Sequence, residues 1–152
     1  MSRYDLKYQM RYSHAIEEMH KRYLERWDSI LSFLQIIFGS AVFADFGGNM
    51  YFGFLLVSLS TVSFVWQPGK QSLLFAKRAE YYARLIIKEP TMEDEELRAA
   101  LCEAAEGAPS EYGVLTKPAE MRAAYALGTS PPKELTVCET VAAFIAGDVP
   151  RG

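Results

Sequence analysis

The apolar residues of this chain concentrate in two uncharged runs separated by a short polar break. Residues 29–44, SILSFLQIIFGSAVFA, and residues 50–66, MYFGFLLVSLSTVSFVW, each hold nine residues drawn from Leu, Ile, Phe and Val. Between them lie Asp45, Gly47, Gly48 and Asn49, turn formers that a helix interior disfavours. At about 1.5 Å per residue each run makes a helix of roughly 24–26 Å. That is a little short of the roughly 30 Å hydrocarbon layer, a mismatch that flanking residues and local thinning absorb. The apolar side chains favour insertion by roughly 3–5 kcal/mol per arm before the Ser, Thr, Gln and Gly costs. Trp27 and Trp66 mark one end of the arms and Tyr51 the other, where amphipathic rings anchor in the headgroup layer. The pattern predicts an all-α protein built on a two-pass transmembrane hairpin, with spans at about 29–44 and 50–66. The soluble counterpart is a helical hairpin buried in a protein core.

The flanks read as helices too. Tyr4, Tyr8, Tyr12, Ile16, Met19, Tyr23 and Trp27 recur at three- and four-residue steps. Nothing interrupts this stripe before Ile30 and Leu34, so one helix from about residue 4 to 44, roughly 60 Å long, is expected. A stripe rich in tyrosine suits partial burial, against another helix or among headgroups. The expected cover is the helix that follows the second span. Gln67-Pro68-Gly69 stops the second arm, and a helix resumes over 70–88 with Leu74, Arg78, Tyr81, Leu85 and Lys88 on one face. Pro90 ends it, Thr91 is the expected N-cap of the next helix, and Gly107 stops that one. Residues 108–117 read as a loop. Two further short helices, over 118–127 and 134–146, are separated by Thr129-Ser130-Pro131-Pro132. These short alanine-rich helices form a small bundle or dock on a partner. The division is therefore a membrane hairpin with stalk helices, 1–89, and a helical tail, 90–152.

Charge sharpens this picture. The chain has 152 residues and a net charge of −3, yet eleven of its sixteen basic residues flank the hairpin. Six precede it and five follow within 70–88, while the turn carries only Asp45. The positive-inside bias then puts both termini in the cytoplasm and the short turn on the other side. Lys70, Lys77, Arg78 and Arg84 are candidates to face anionic lipid, at about 1 kcal/mol each near the surface. From Glu89 onward the balance reverses to twelve acidic against five basic residues, which argues against a nucleic-acid partner. Cys102 and Cys138 fall in the cytoplasmic part, where reduced thiols are the rule.

Little in the chain suggests chemistry. His14 and His20 are six apart, off the four-residue spacing of helical metal ligands, and read as exposed. No cysteine pair has zinc spacing, and no nucleophile-elbow, P-loop or dinucleotide motif occurs. The reading is no enzyme, with no catalytic, metal or cofactor residues. What polarity the spans hold is Ser32, Gln35 and Gly39 on one face of the first arm, with Gly53 and Ser60 on the second. These are a candidate helix-packing or pore-lining face. Gln35 near mid-span ties the arms or neighbouring subunits together, or lines a polar path in an oligomer.

The order of parts resembles the SLATT group of two-transmembrane bacterial effectors. The resemblance covers about residues 4–88: the stripe ending in Trp27, the two arms and the helix 70–88. It implies a homo-oligomer in the bacterial inner membrane that opens a pore when a sensor is triggered, in a bacterial defence or conflict system. Two alternatives belong to other classes. One is a non-conducting anchor, including an exclusion or holin-like phage protein, whose acidic tail recruits a cytoplasmic partner. The other is a soluble helical interaction protein. Two spans cannot enclose an aqueous path, so conduction would require several copies.

Overall fold

The computed structural model describes residues 2–43, 49–110, 112–129 and 134–147. Ala44, the turn residues Asp45, Gly47 and Gly48, and Ser130, Pro131 and Pro132 of the later break lie outside them. The described residues form six α-helices and no strand: α1 (Arg3–Phe43), α2 (Asn49–Trp66), α3 (Pro68–Lys88), α4 (Asp94–Ala105), α5 (Thr116–Ala126) and α6 (Val137–Ile145). Short 3₁₀ turns at Glu89–Thr91 and Gly113–Leu115 lead into α4 and α5.

The expected long helix is present: α1 runs unbroken for 41 residues, or about 60 Å. Antiparallel to it run α2 and α3, separated by one residue. Gln67 takes a left-handed conformation (φ 48°), and Pro68 restarts the helix at its first position, where its missing N–H costs nothing. The Gln71 side chain donates to the Trp66 carbonyl across the break at 2.6 Å, satisfying a group that the interruption would strand. Partners recede along α1 as they advance along α2 and α3. Phe38 stacks near Phe52, Gln35 meets Ser63, Trp27 meets Trp66, His20 stacks on Phe75, Glu17 binds Arg78, and Lys7 reaches Glu89. One register therefore runs the length of the molecule.

The face that α1 turns to α3 differs from the tyrosine stripe. Leu6, Met10, Glu17, His20, Leu24 and Leu31 are buried, with Ser13 and Trp27 half-buried between them, at steps alternating four and three. On α3 and the turn after it, Pro68, Ser72, Phe75, Ala79, Tyr82 and Glu89 follow the same alternation, with half-buried Ile86 filling the gap. A 3.5-residue repeat on both helices is the signature of supercoiled packing. Several of its positions are polar, which hides it from a search for apolar periodicity. The middle of the tyrosine stripe is covered by the tail instead, while Tyr4 at its start is exposed. Ala15, Ile16 and Met19 form one core with Leu115, Ala119, Ala142, Ala143 and Ala146, and Tyr12 and Tyr23 pack at its edge. Small alanine faces on α5 and α6 let these helices lie close to α1. A second core joins Leu6 and Met10 to Tyr82, Leu85, Leu97 and Leu101, which seats α4.

Local signals place the tail helices. Thr91 is not the N-cap of α4; its hydroxyl donates to the Lys88 carbonyl at the end of α3 (2.8 Å). Glu93 takes the N-cap position, and its N–H donates to the Glu96 carboxylate three residues on (3.3 Å). Helix α6 starts at Val137, behind a capping box between Thr136 and Glu139. Lys117, with the Thr136 N–H, holds the Glu139 carboxyl down at about 2. Arg26 donates to the Phe144 carbonyl at the other end of α6 (2.8 Å), meeting a carbonyl of the last turn with a cation.

The Glu17–Arg78 pair is the most buried ion pair described, with side chains 6% and 20% exposed. Arg84–Glu80, 72% and 62% exposed, lies on the surface of α3. Arg78→Ala leaves a buried carboxylate without its cation and is expected to cost about 3 kcal/mol. Arg84→Ala is expected to cost less than about 0.5 kcal/mol. Urea denaturation of the two variants followed by circular dichroism separates them; equal losses would remove Glu17–Arg78 from the core.

Candidate functional site

Beyond Leu31 the paired helices carry no cover from the other described residues. Phe33, Ile36, Ile37 and Phe43 on α1 and Met50, Tyr51, Phe54, Val57, Phe64 and Val65 on α2 are exposed, several by more than 60%. The run Met50–Thr91 contains an 18-residue stretch with mean hydropathy 1.4, none of it buried. Among the described residues it is the one helix long and apolar enough to cross a membrane. The uncharged part of α1 extends over fifteen described residues, 29–43, and joins directly onto the charged half of the same helix.

Several polar groups in this bare region are satisfied within the chain. Gln35 donates through Nε2 to the Ser63 hydroxyl on the facing arm at 2.9 Å. Ser40 and Thr61 return their hydroxyls to the carbonyls of Ile36 and Val57, one turn back (2.8 and 2.9 Å). Gly39 lies where an added Cβ would meet Leu56 at 3.9 Å, ordinary contact between the arms, whereas Gly53 has open space beside it. Ser32 and Ser60 are exposed. The five predicted face residues therefore do not converge: Gln35 and Gly39 point between the arms, and Ser32 and Ser60 point away from them.

The junction of bare hairpin and folded head is aromatic. Trp27 and Trp66 face each other with ring centroids 6.0 Å apart. Tyr112, from the segment read as a loop, closes over them. Its hydroxyl accepts from Trp66 Nε1 (3.2 Å) and donates to Gln71 Oε1 (3.3 Å), and its ring lies 6.1 Å from Tyr23. Its backbone N–H donates to His20 Nε2 (2.7 Å). His20 is wholly buried, not exposed as its sequence position suggested, and is sandwiched between Phe75 (4.8 Å) and Tyr112 (5.3 Å). Nδ1 faces the Ile16 carbonyl at 2.7 Å, so that nitrogen donates while Nε2 accepts, which assigns a neutral ring. Below the tryptophans, Asp28 accepts from the Gly69 N–H (3.2 Å) where α3 begins. The sequence alone marked the two tryptophans; Tyr112, His20 and Gln71 carry no local signal, because the register of distant helices brings them together.

The basic residues separate as well. Lys70 and Lys77 are exposed, whereas Arg78 turns inward onto Glu17 and is not free for headgroups. Arg84 pairs with Glu80, and at about 1.5 Å per residue it stands roughly 24 Å along α3 from Pro68. Comparison with protein-family models, curated proteins and solved structures finds no match.

Gln35→Leu deletes the amide-to-hydroxyl hydrogen bond from Gln35 to Ser63 and is expected to lower stability by about 1 kcal/mol. Ser63→Ala should lose a similar amount, and the double variant little more than either single. A thermal-melt double-mutant cycle in detergent checks this; additive losses would mean the two groups do not interact.

Proposed function

We propose that this chain is a two-pass membrane protein whose hairpins self-associate in the bilayer under control of the cytoplasmic head, making it a membrane-permeabilising effector. The observation that carries this reading is the union of a bare apolar hairpin with a folded head through one unbroken helix. An exposed apolar surface of this extent in water is an aggregation hazard, and lipid or sister hairpins would cover it. The tryptophan pair sets the headgroup level, and the excess of Lys and Arg on its head side favours a cytoplasmic head. Tyr112 supplies the means of control, since it couples the tail to Trp66 at the base of the hairpin. A displacement of the tail would reach the arms through that contact.

A second reading, a non-conducting anchor that presents the head to a partner protein, is favoured by one observation. Gln35, the strongest polar group in the arms, is spent on Ser63 inside the chain and does not offer itself to a water-filled path.

Three measurements separate these readings. Alkaline carbonate washing should leave the protein in the membrane pellet; release into the supernatant would make it a soluble helical protein. Induced expression in bacteria carrying a voltage-sensitive dye should depolarise the cells ahead of lysis. Tyr112→Phe, which removes both hydroxyl contacts and keeps the ring, should change the rate of depolarisation several-fold at equal protein level. A steady potential with wild type and variant both abundant in the membrane would favour the anchor.

A further inference from the structure

We propose that the cleft between α1, α3 and α5, on the side of the head away from the hairpin, binds a small phosphate ester with an apolar body. The cleft has a volume of about 400 Å³, within the range of small-molecule sites. Arg11, His14 and Arg122 line it over a floor that includes Ala15, Ile86 and Ala123, and none of its lining residues is acidic. These two guanidiniums meet in a chain of net charge −3. The nearby carboxylate, Glu18, is engaged by Arg122 at 3.1 Å and by Arg22. Arg11 has no ion-pair partner among the described residues. Arg11 therefore adds a positive charge to the cleft beside the Arg122–Glu18 pair.

The state of His14 agrees with that field. Burial pushes the imidazole below its ordinary range, Arg122 and Arg11 push it further, and Glu18 opposes them. Two guanidiniums approaching from different helices suit the several oxygens of a phosphate, to which arginine binds in a bidentate fork. The apolar floor favours an ester over the free ion, because inorganic phosphate would leave alanine and isoleucine surface uncovered. Arg11 lies sixteen residues before Trp27, roughly 24 Å along α1. That distance favours a dissolved ligand over a lipid headgroup. A ligand held there would touch α1, α3 and α5 at once.

The test uses the full chain in an uncharged detergent, free of phosphate buffer, with phenyl phosphate and inorganic phosphate as probes. Isothermal titration should give saturable binding of phenyl phosphate, tighter than inorganic phosphate. Arg11→Gln should weaken it by about tenfold or more. Arg84→Gln, which removes an equal charge from the α3 surface, should leave it unchanged. In the unmodified chain, the proton titration of His14 followed by NMR should move to higher pH as phenyl phosphate is added. This second readout needs no Arg11 variant. No saturation at millimolar probe, equal losses in both arginine variants, or an unmoved His14 would each overturn the proposal. So would a rise in the His14 midpoint caused by phosphatidylglycerol in the micelle without phenyl phosphate, which would put a headgroup in the cleft.

Discussion

The length of α1 is the constraint from which the other features follow. A helix of 41 residues cannot bury itself, and this one divides its surface among three kinds of neighbour. Along one side, α2 and α3 run antiparallel to it for nearly its whole length. On a second side, from Arg3 to Arg26, the tail supplies α4, α5 and α6. Its last three turns have only α2 beside them among the described residues. The molecule is consequently two-natured along a single axis, with a layered core at one end and a bare apolar pair at the other.

The core of the head contains more polarity than such a small core requires. Glu17, His20 and Ser72 occupy buried positions of the α1–α3 repeat that leucine would fill at lower desolvation cost. Each has a fixed answer from the opposite side or its own backbone: Arg78 for Glu17, the Ile16 carbonyl and Tyr112 N–H for His20, and the Gly69 carbonyl for Ser72. An apolar seam of regular repeat tolerates sliding by one heptad, since one layer looks like the next. A seam with a carboxylate, an imidazole and a hydroxyl at single positions does not, because any slip strands a buried polar group. Register in the head in turn sets which residues meet in the arms, including Gln35 with Ser63.

The sequence made the long helix, the break at Gln67-Pro68-Gly69, the two arms and the tryptophan pair legible, since each rests on local composition or spacing. It misled about what covers the tyrosine stripe. Tyr12, Ile16, Met19 and Tyr23 are all aromatic or apolar at their steps of four, three and four, while the true seam with α3 has the same steps but mixes in polar residues. That seam passes through Glu17 and His20, which a hydrophobicity pattern counts as interruptions. The cover of the stripe came from alanines about a hundred residues away, and alanine on a short helix announces neither core nor surface. Thr91 failed as an N-cap for a local reason: the 3₁₀ turn after Lys88 gives its hydroxyl a nearer carbonyl. Tyr112 and the cleft at Arg11 were invisible because both arise where separate helices cross.

The division of α1 between early and late partners bears on how the chain is made. The ribosome completes α1 first, then α2 and α3, and only afterwards the segment from Asp94 to Gly147 that seats on Leu6, Ile16 and Met19. For that interval the antiparallel pair exists with its second face open to whatever is near. Ile16 and Met19 on that face are then available to chaperones, to membrane or to another nascent copy, and they are withdrawn when α5 and α6 arrive. The segment from Asp94 to Gly147 thus fixes the moment at which this face of α1 stops presenting a sticky surface, and a product truncated before it would never reach that moment.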